Sequence, residues 1–214
     1  MEAAPVKLST AYWAPIRYYA KLVSTTTVLL EQHEHFLKQT YRNRCRIAGA
    51  NGVQSLTVPV VKRHGEKMPV REVRIDYSEA WQRRHWRAIE TAYRSSPFFA
   101  YYADDIRPFY EKKEIFLFDL NEKILRTTFA LTGIKTVIEY TEQFCPPDGH
   151  ATDYRYSITP KISCATVAGF HPQPYYQVFA HLHSFLPDLS ILDLLCNEGP
   201  GSLEKLKVES GLPH

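Results

Sequence analysis

Three arginines alternate along one short stretch of the chain, at Arg42, Arg44 and Arg46. Alternate side chains of an extended strand point to the same face, so the three guanidinium groups are expected to stand together. A planar guanidinium can hold phosphate or carboxylate through two parallel hydrogen bonds. We therefore expect Arg42 and Arg44 to bind the anionic part of a small-molecule substrate of the nucleotide-sugar type. The alternative, for Arg42 and Arg46 above all, is a solvated strand face paired with Asp or Glu.

A histidine that could move a proton lies at His85, between Arg84 and Trp86 on a predicted helix. Histidine is the side chain that titrates nearest neutral pH, so His85 is the candidate catalytic residue. The alternative is a half-buried helical histidine hydrogen-bonded to a carbonyl group. Tyr93 shares the helix face with Trp81 and is a candidate substrate contact, with packing in the core as its alternative.

The chain is rich in aromatic rings, with 14 Tyr and 11 Phe. Rings near basic residues suit flat ligands such as sugars and bases. Tyr12 and Trp13 follow the first predicted strand and are candidates for stacking on a substrate ring. Tyr176, together with Tyr175, is expected to reach the same cleft as Arg44 from the C-terminal part of the chain.

Other catalytic and metal-binding patterns carry less weight. The pairs His33-x-His35 and His181-x-His183 lack a carboxylate or thiolate at ligand spacing, so we predict no metal site. Cys164 lies alone in a Pro-rich stretch. No P-loop, G-x-G-x-x-G or G-x-S-x-G motif occurs, which disfavours P-loop, dinucleotide-binding and hydrolase classes. The cofactor stays open.

Length and composition favour one α/β domain of 214 residues, with 44% apolar residues to form its core. No run approaches the roughly 20 apolar residues of a membrane span. The first residues lack a secretory pattern and the four cysteines form no C-x-x-C pair, so we expect reduced thiols and a cytoplasmic location. A net charge of +3 with interspersed signs disfavours nucleic-acid binding.

The elements that must position these residues begin with a βαβ-like unit: a strand at Lys7–Ala11, a helix at Ile16–Leu22 and a strand at Thr25–Leu30. The Asn-Gly pair then predicts a hairpin of Arg42–Ile47 and Gln54–Val61, joined by a five-residue loop at Ala48–Gly52. Asp76 and Glu79 suggest a capping box before the helix of His85. Further elements are expected as a strand at Val70–Ile75, helices at Phe98–Tyr110 and Leu117–Leu131, a stop at Gly133 and a strand at Thr136–Tyr140.

The C-terminal part changes character. Residues 144–174 read as a long Pro-containing loop, either functional or partly mobile. Residues 175–207 are expected to fold back, with a helix at Ile191–Leu195 capped by Ser190 and packed on the region Tyr12–Tyr19. The fold class is therefore α/β: a single domain over 1–214, with a mixed sheet, an N-terminal strand–helix–strand unit, a hairpin and covering helices.

Several motifs, in this order and spacing, resemble the WbqC-like family from about Leu8 to Gly199. They are Tyr12-x-x-Pro15, Tyr41-Arg42-Asn43-Arg44, Leu56-Thr57-Val58-Pro59-Val60, Trp81 with His85-Trp86, Ala92-Tyr93-x-x-Ser96-Pro97-Phe98-Phe99, and Leu189-Ser190-Ile191-Leu192-Asp193-Leu194-Leu195. The first strand of the family commonly ends in Gln-Pro, where this chain has Ser9-Thr10-Ala11, and Arg17 occupies the neighbourhood of a usual Gly. The polar chemistry of the first loop therefore differs in this member.

The resemblance implies a role beside bacterial surface-polysaccharide (O-antigen) genes. We expect a transferase acting on a nucleotide-linked sugar or similar anionic metabolite in cell-surface polysaccharide biosynthesis. The alternative is a non-catalytic binding or assembly subunit that contacts other glycan-biosynthesis proteins. A deep pocket gathering Arg, His and Tyr favours the enzyme, and a flat apolar patch favours the subunit.

Overall fold

The fold starts with the expected strand–helix–strand unit. The computed structural model describes residues 5–61, 67–147, 152–167 and 169–211. Strand β1 (Val6–Ser9), helix α1 (Ile16–Val23) and strand β2 (Thr27–Glu31) are followed much later by β5 (Val137–Tyr140). These strands form a parallel sheet in the order β1-β2-β5. The carboxyl ends of the three strands lie at one border, called the carboxyl edge below.

The hairpin consists of β3 (Arg44–Gly49) and β4 (Gly52–Thr57), which pair antiparallel. The predicted pairing is confirmed, but the predicted five-residue loop is wrong. Gly49 lies opposite Gly52, so only Ala50 and Asn51 form the turn. Gly52 has a φ of 99°, a value that glycine adopts without a Cβ clash, and pairing therefore continues up to the turn. In the described part of the chain, the parallel and antiparallel strands form two separate sheets.

Helices cover the sheets as expected for the α/β class. They are α2 (Trp81–Tyr93), α3 (Phe99–Ile106), α4 (Pro108–Glu111), α5 (Leu117–Thr132), α6 (Ala180–His183), α7 (Ile191–Glu198) and α8 (Ser202–Glu209). The predicted helix Phe98–Tyr110 is divided at Arg107, because the ring of Pro108 cannot donate a hydrogen bond into the preceding turn. Gly133 ends α5 with a φ of 77°, as predicted.

Two local predictions are wrong. Val70–Ile75 is not a strand: a 3-10 turn is followed by single bridges, because its N–H groups go to separate partners, Val70 to the Glu34 carbonyl and Ile75 to the Ile115 carbonyl. The capping box is absent, because Asp76 accepts a hydrogen bond from the Ser78 N–H at 2.8 Å and α2 begins only at Trp81, with no side-chain cap.

The C-terminal segment packs on the loop between β1 and α1, as predicted. Ile16 N–H donates to the Leu189 carbonyl and Ile191 N–H donates to the Ala14 carbonyl, both at 2.9 Å. The Ser190 hydroxyl caps α7 by accepting from Leu192 N–H and donates to the Trp13 carbonyl at 2.8 Å. Both ends of the chain thus contribute to one hydrophobic core. None of the described helices combines the length and the apolar character that crossing a bilayer requires.

Candidate functional site

Buried polar side chains gather at the carboxyl edge. Ser9 is the last residue of β1, Glu31 is the last residue of β2, and Thr141 follows β5 directly. The Thr141 hydroxyl donates to Glu31 Oε1 at 2.8 Å, and Glu31 is 1% exposed. Open α/β sheets bind ligands outside the carboxyl ends of their strands. This edge is therefore the first place to look for a functional site.

Two arginines at this edge are committed to carboxylates of the protein. Arg42 donates through Nε to Glu34 Oε1 at 2.8 Å and through Nη2 to Ser9 Oγ at 2.7 Å. Arg155 donates through Nη1 to Glu31 Oε2 at 3.0 Å and through Nε to Asp153 Oδ1 at 2.9 Å. These ion pairs are buried, and breaking a buried pair by removing one partner is costly. Arg42 is thus paired as its alternative interpretation predicted, although with a carboxylate in the core instead of on a solvated face.

The predicted row of three arginines is also interrupted. Strand β3 begins at Arg44, and Arg42 lies in the turn that precedes it. Arg44 is half-buried and donates through Nε to Thr57 Oγ1 at 3.1 Å. Arg46 donates through Nη2 to the Pro160 carbonyl at 2.6 Å. The three guanidinium groups therefore have three different sets of partners, and only Arg44 and Arg46 lie on one strand.

Arg42 and Arg155 both line a small cavity. It is partly open to solvent, and of its empty volume of about 250 Å³ only about 10 Å³ can take the centre of a water molecule. That is room for a single water. Tyr41, which lines this carboxyl-edge cavity, is 3% exposed, and its side chain lies against Arg17. The lining residues are Leu8, Ser9, Thr10, Ala11, Tyr18, Tyr41, Arg42, Tyr154, Arg155 and Ile158.

One wall of the cavity comes from residues 152–167, called the strap below. The strap extends along β1, since Lys7 N–H donates to the Thr152 carbonyl at 2.9 Å and Tyr154 N–H donates to the Lys7 carbonyl at 3.0 Å. It forms the central part of the predicted 144–174 loop, of which residues 148–151 and 168 lie outside the described part. The described part of this loop packs along β1 and lines the cavity with Tyr154, Arg155 and Ile158.

The predicted residues Tyr12, Trp13 and His85 meet in a second, enclosed cluster with Tyr110. Trp13 Nε1 donates to Tyr110 Oη at 2.9 Å, Tyr110 and Tyr12 join their hydroxyls at 2.9 Å, and Tyr12 Oη lies 3.0 Å from His85 Nδ1. The other ring nitrogen of His85 bonds the backbone of Thr57. If each group donates to the next, from Trp13 through Tyr110, Tyr12 and His85 to the Thr57 carbonyl, every one of these groups has a hydrogen-bond partner.

Burial dominates the chemistry of this cluster. Burial and, less strongly, the charge of Arg84 lower the pKa of His85 to about 4, although the hydrogen bond to the Thr57 backbone opposes both effects. His85 is therefore neutral at physiological pH, with Nδ1 as its acceptor. Tyr12 and Trp13 are fully buried and present no ring face to a ligand in this conformation. The geometry corresponds to the alternative interpretation of His85, and its catalytic role stays a prediction.

Tyr93 lies in a third buried group, around Asp193 of α7. Asp193 Oδ2 accepts hydrogen bonds from the Tyr175 hydroxyl at 2.5 Å and from Gln177 Nε2 at 2.8 Å. Burial raises the pKa of Asp193 to about 6, and these hydrogen bonds oppose the rise. Tyr175 is thus directed at α7, and the neighbouring Tyr176 is 58% exposed. In the described part of the chain, neither tyrosine makes a hydrogen bond or ring contact with Arg44.

Of the predicted site residues, only Arg42 lines the carboxyl-edge cavity. Sequence reasoning missed Arg155, because an aperiodic Pro-rich stretch gives no hint of where its side chains point. It also missed Glu31 and Glu34, although both stand in the polar stretch that leaves β2, and the carboxyl end of a parallel strand is itself a signal. Among the described residues, no three His, Cys, Asp or Glu are grouped as they would be to hold a metal ion.

Fold and site define an α/β protein with a small cavity, lined in part by two buried arginines, at the ends of its parallel strands. The chain belongs to the WbqC-like protein family, whose profile matches residues 11–168. The match includes the hairpin, α2 and the strap, and it ends before the Leu189–Leu195 motif. The chain is also 27% identical over 225 residues to an uncharacterized protein of Mycobacterium tuberculosis (strain ATCC 25618 / H37Rv), Rv1507c, with 94% of this chain and 97% of that protein covered. No solved structure matches the chain significantly.

Proposed function

We propose that the protein is a transferase that acts on a nucleotide-linked sugar, or a similar anionic metabolite, in the biosynthesis of bacterial cell-surface polysaccharide. The observation that carries this proposal is the small cavity at the carboxyl edge, which is where α/β proteins bind small molecules. The polysaccharide setting is what the resemblance to the WbqC-like family implies, and the family match itself names no reaction. The cytoplasm, where nucleotide-linked sugars are made, is the proposed location.

The cavity walls suit the sugar part of such a substrate. Thr10 lines the cavity directly after β1, next to Ser9, whose hydroxyl is held by Arg42, and the rings of Tyr18 and Tyr154 form two further walls. Hydroxyl groups both donate and accept hydrogen bonds, as sugar hydroxyls require. A sugar ring is larger than the single water that the cavity admits, so its entry requires the strap to move outward. The predicted roles of Tyr12, Trp13, Tyr93 and His85 likewise need their buried clusters to open.

Thermal unfolding of the full chain with a panel of nucleotide-linked sugars tests the proposal. A ligand at 100 times its Kd stabilises the folded state by about 2.7 kcal/mol, which raises the Tm of a chain of this size by roughly 5–11 °C. Ser9→Ala should reduce the shift, and Ser55→Ala, at an exposed position of β4, should leave it unchanged. A sugar that shifts the Tm is then assayed for transfer to an acceptor. A panel that produces no shift at millimolar concentration contradicts the proposal.

One observation favours the non-catalytic subunit as the second candidate. Strand β4 pairs only with β3 in the described part of the chain, and Val53, Gln54 and Ser55 are exposed along it. An exposed strand edge is a template for pairing with another chain. Val53→Lys should then abolish co-purification with glycan-biosynthesis proteins while the Tm shift with nucleotide sugars is unchanged. Unaltered co-purification counts against this candidate.

A further inference from the structure

Three backbone carbonyls of the strap converge on two guanidinium groups from distant parts of the chain. Arg17 of α1 donates through Nη2 to the Thr159 carbonyl at 2.7 Å and through Nη1 to the Ile162 carbonyl at 3.1 Å. Arg46 of β3 donates to the Pro160 carbonyl at 2.6 Å. Carbonyl oxygens are neutral acceptors, and hydrogen bonds from a guanidinium to an anionic oxygen are roughly twice as strong. The strap therefore fills positions that an anion could fill with greater stabilisation.

The positive charges of these two arginines exceed the negative charge described near them, which favours binding of an anion. Arg17 Nε lies 3.0 Å from Asp188 Oδ2, and its side chain is fully buried. Arg46 forms no ion pair in the described part of the chain, but it interacts electrostatically with the same Asp188, since both arginines oppose the rise in pKa that burial imposes on that carboxyl. Two cations thus share one carboxylate. The walls of the carboxyl-edge cavity differ, because Arg42 and Arg155 there face Glu31, Glu34 and Asp153.

Tyr41 connects the arginine pair to the cavity. Its ring lies 5.8 Å from the Arg17 guanidinium carbon and also lines the carboxyl-edge cavity. Its hydroxyl is buried, and its hydrogen bond with the Arg17 side chain opposes the rise in pKa that burial causes. An anionic group at Arg17 and Arg46 is therefore adjacent, through Tyr41, to whatever the cavity holds.

We infer that Arg17 and Arg46 form the anion-binding part of the site, and that the strap carbonyls 159, 160 and 162 occupy it until a phosphate or carboxylate group displaces them. This inference rests on the proposed function, since it assigns the phosphate end of the substrate to the arginine pair and the sugar end to the cavity. The strap and the anion are alternatives at one place, so binding of the anion and opening of the cavity are a single event.

The test uses the full chain with inorganic pyrophosphate as the probe. Calorimetry gives the affinity, and hydrogen–deuterium exchange of the strap amides reports its release. Wild type should bind pyrophosphate with faster exchange in the strap. Arg46→Gln should weaken binding at least tenfold, whereas Arg107→Gln, at an exposed arginine paired with Glu111, should change it less than twofold. Arg46→Lys keeps the charge without the planar fork and should fall between the two.

The outcomes separate this inference from the proposed function. Unchanged affinity in Arg46→Gln overturns the inference, as does binding of pyrophosphate that leaves exchange in the strap unaltered. If Arg44→Gln loses binding and Arg46→Gln does not, the anion is held by Arg44; the inference then fails while the proposed function stands. If neither pyrophosphate nor any nucleotide-linked sugar binds wild type, both fail. Arg46 is half-buried, so Arg46→Lys decides the matter should Arg46→Gln fold poorly.

Discussion

Removal of the Arg155 side chain should release the strap and destabilise the fold. Arg155 is fully buried, and besides its two carboxylate partners it donates through Nη1 to the Cys145 carbonyl at 2.6 Å. Arg155→Met keeps much of the apolar stem but leaves Glu31 as a buried carboxylate without its cation. Breaking a buried pair in this way costs about 3–5 kcal/mol.

The lower end of that range applies here. Glu31 keeps hydrogen bonds from the Thr141 hydroxyl at 2.8 Å, the His33 N–H at 2.7 Å and the Cys145 N–H at 3.0 Å, which continue to stabilise its charge. A loss of about 3 kcal/mol lowers the Tm of a chain of this length by roughly 6–12 °C. Because the strap can open locally, amides of residues 152–167 should lose protection before the rest of the domain.

Urea unfolding and hydrogen exchange measure both effects. Arg94→Met is the matched control, since its side chain is 74% exposed and its pair with Glu90 contributes little. The double variant Glu31→Gln with Arg155→Met should be more stable than Arg155→Met alone, because the unpaired charge is gone. If Arg155→Met unfolds at the same urea concentration as Arg94→Met and the strap keeps its protection, the strap is not held as described.

Three further predictions concern other parts of the fold. Gly199→Ala should destabilise by more than about 2 kcal/mol in urea unfolding, since φ is 55° and a Cβ would meet Phe98 ring atoms at 2.5 Å; Gly201→Ala, with its nearest atom at 3.8 Å, should not. Burial raises the folded-state pKa of Asp193 to about 6. The protonated carboxyl therefore stabilises the fold fully below its unfolded pKa, and this stabilisation is lost as the pH rises through 6. The free energy of unfolding of Asp193→Asn, relative to that of wild type, should rise by up to about 3 kcal/mol between pH 4 and pH 8. His85, with its pKa lowered to about 4, should remain a neutral Nε2–H tautomer by nitrogen NMR down to pH 5, and a midpoint near 6.5 would contradict the buried cluster.

Much of the sheet and helix order follows from local patterns. The β-branched run of β2 and the Asn-Gly pair of the hairpin are signals within a few residues, and the structure confirms the elements they predict. The turn of the hairpin is shorter than the predicted five residues, because Gly49 and Gly52 pair with each other. The sequence also predicts the buried face of α2, since Trp81, His85 and Ile89 recur at helical spacing and all three are buried.

The site was less predictable because its contacts join residues that are far apart in sequence. Arg17 and Thr159 are separated by 142 residues. The acceptor is a backbone carbonyl, which every residue has, so the residue type at position 159 does not signal the contact. The alternating pattern predicts Arg42 on one strand with Arg44, yet Arg42 lies in the preceding turn and donates a hydrogen bond to Glu34. Periodicity gives no warning of such a change, since a turn of two or three residues has no period.

The most direct test of the account is a crystal structure of the full chain with a nucleotide-linked sugar. The account predicts the sugar within hydrogen-bond distance of Ser9 or Thr10, the phosphate at Arg17 and Arg46, and residues 159–162 displaced from both arginines. A saturated crystal with the strap still closed and the ligand elsewhere, for example along the exposed edge of β4, would contradict it.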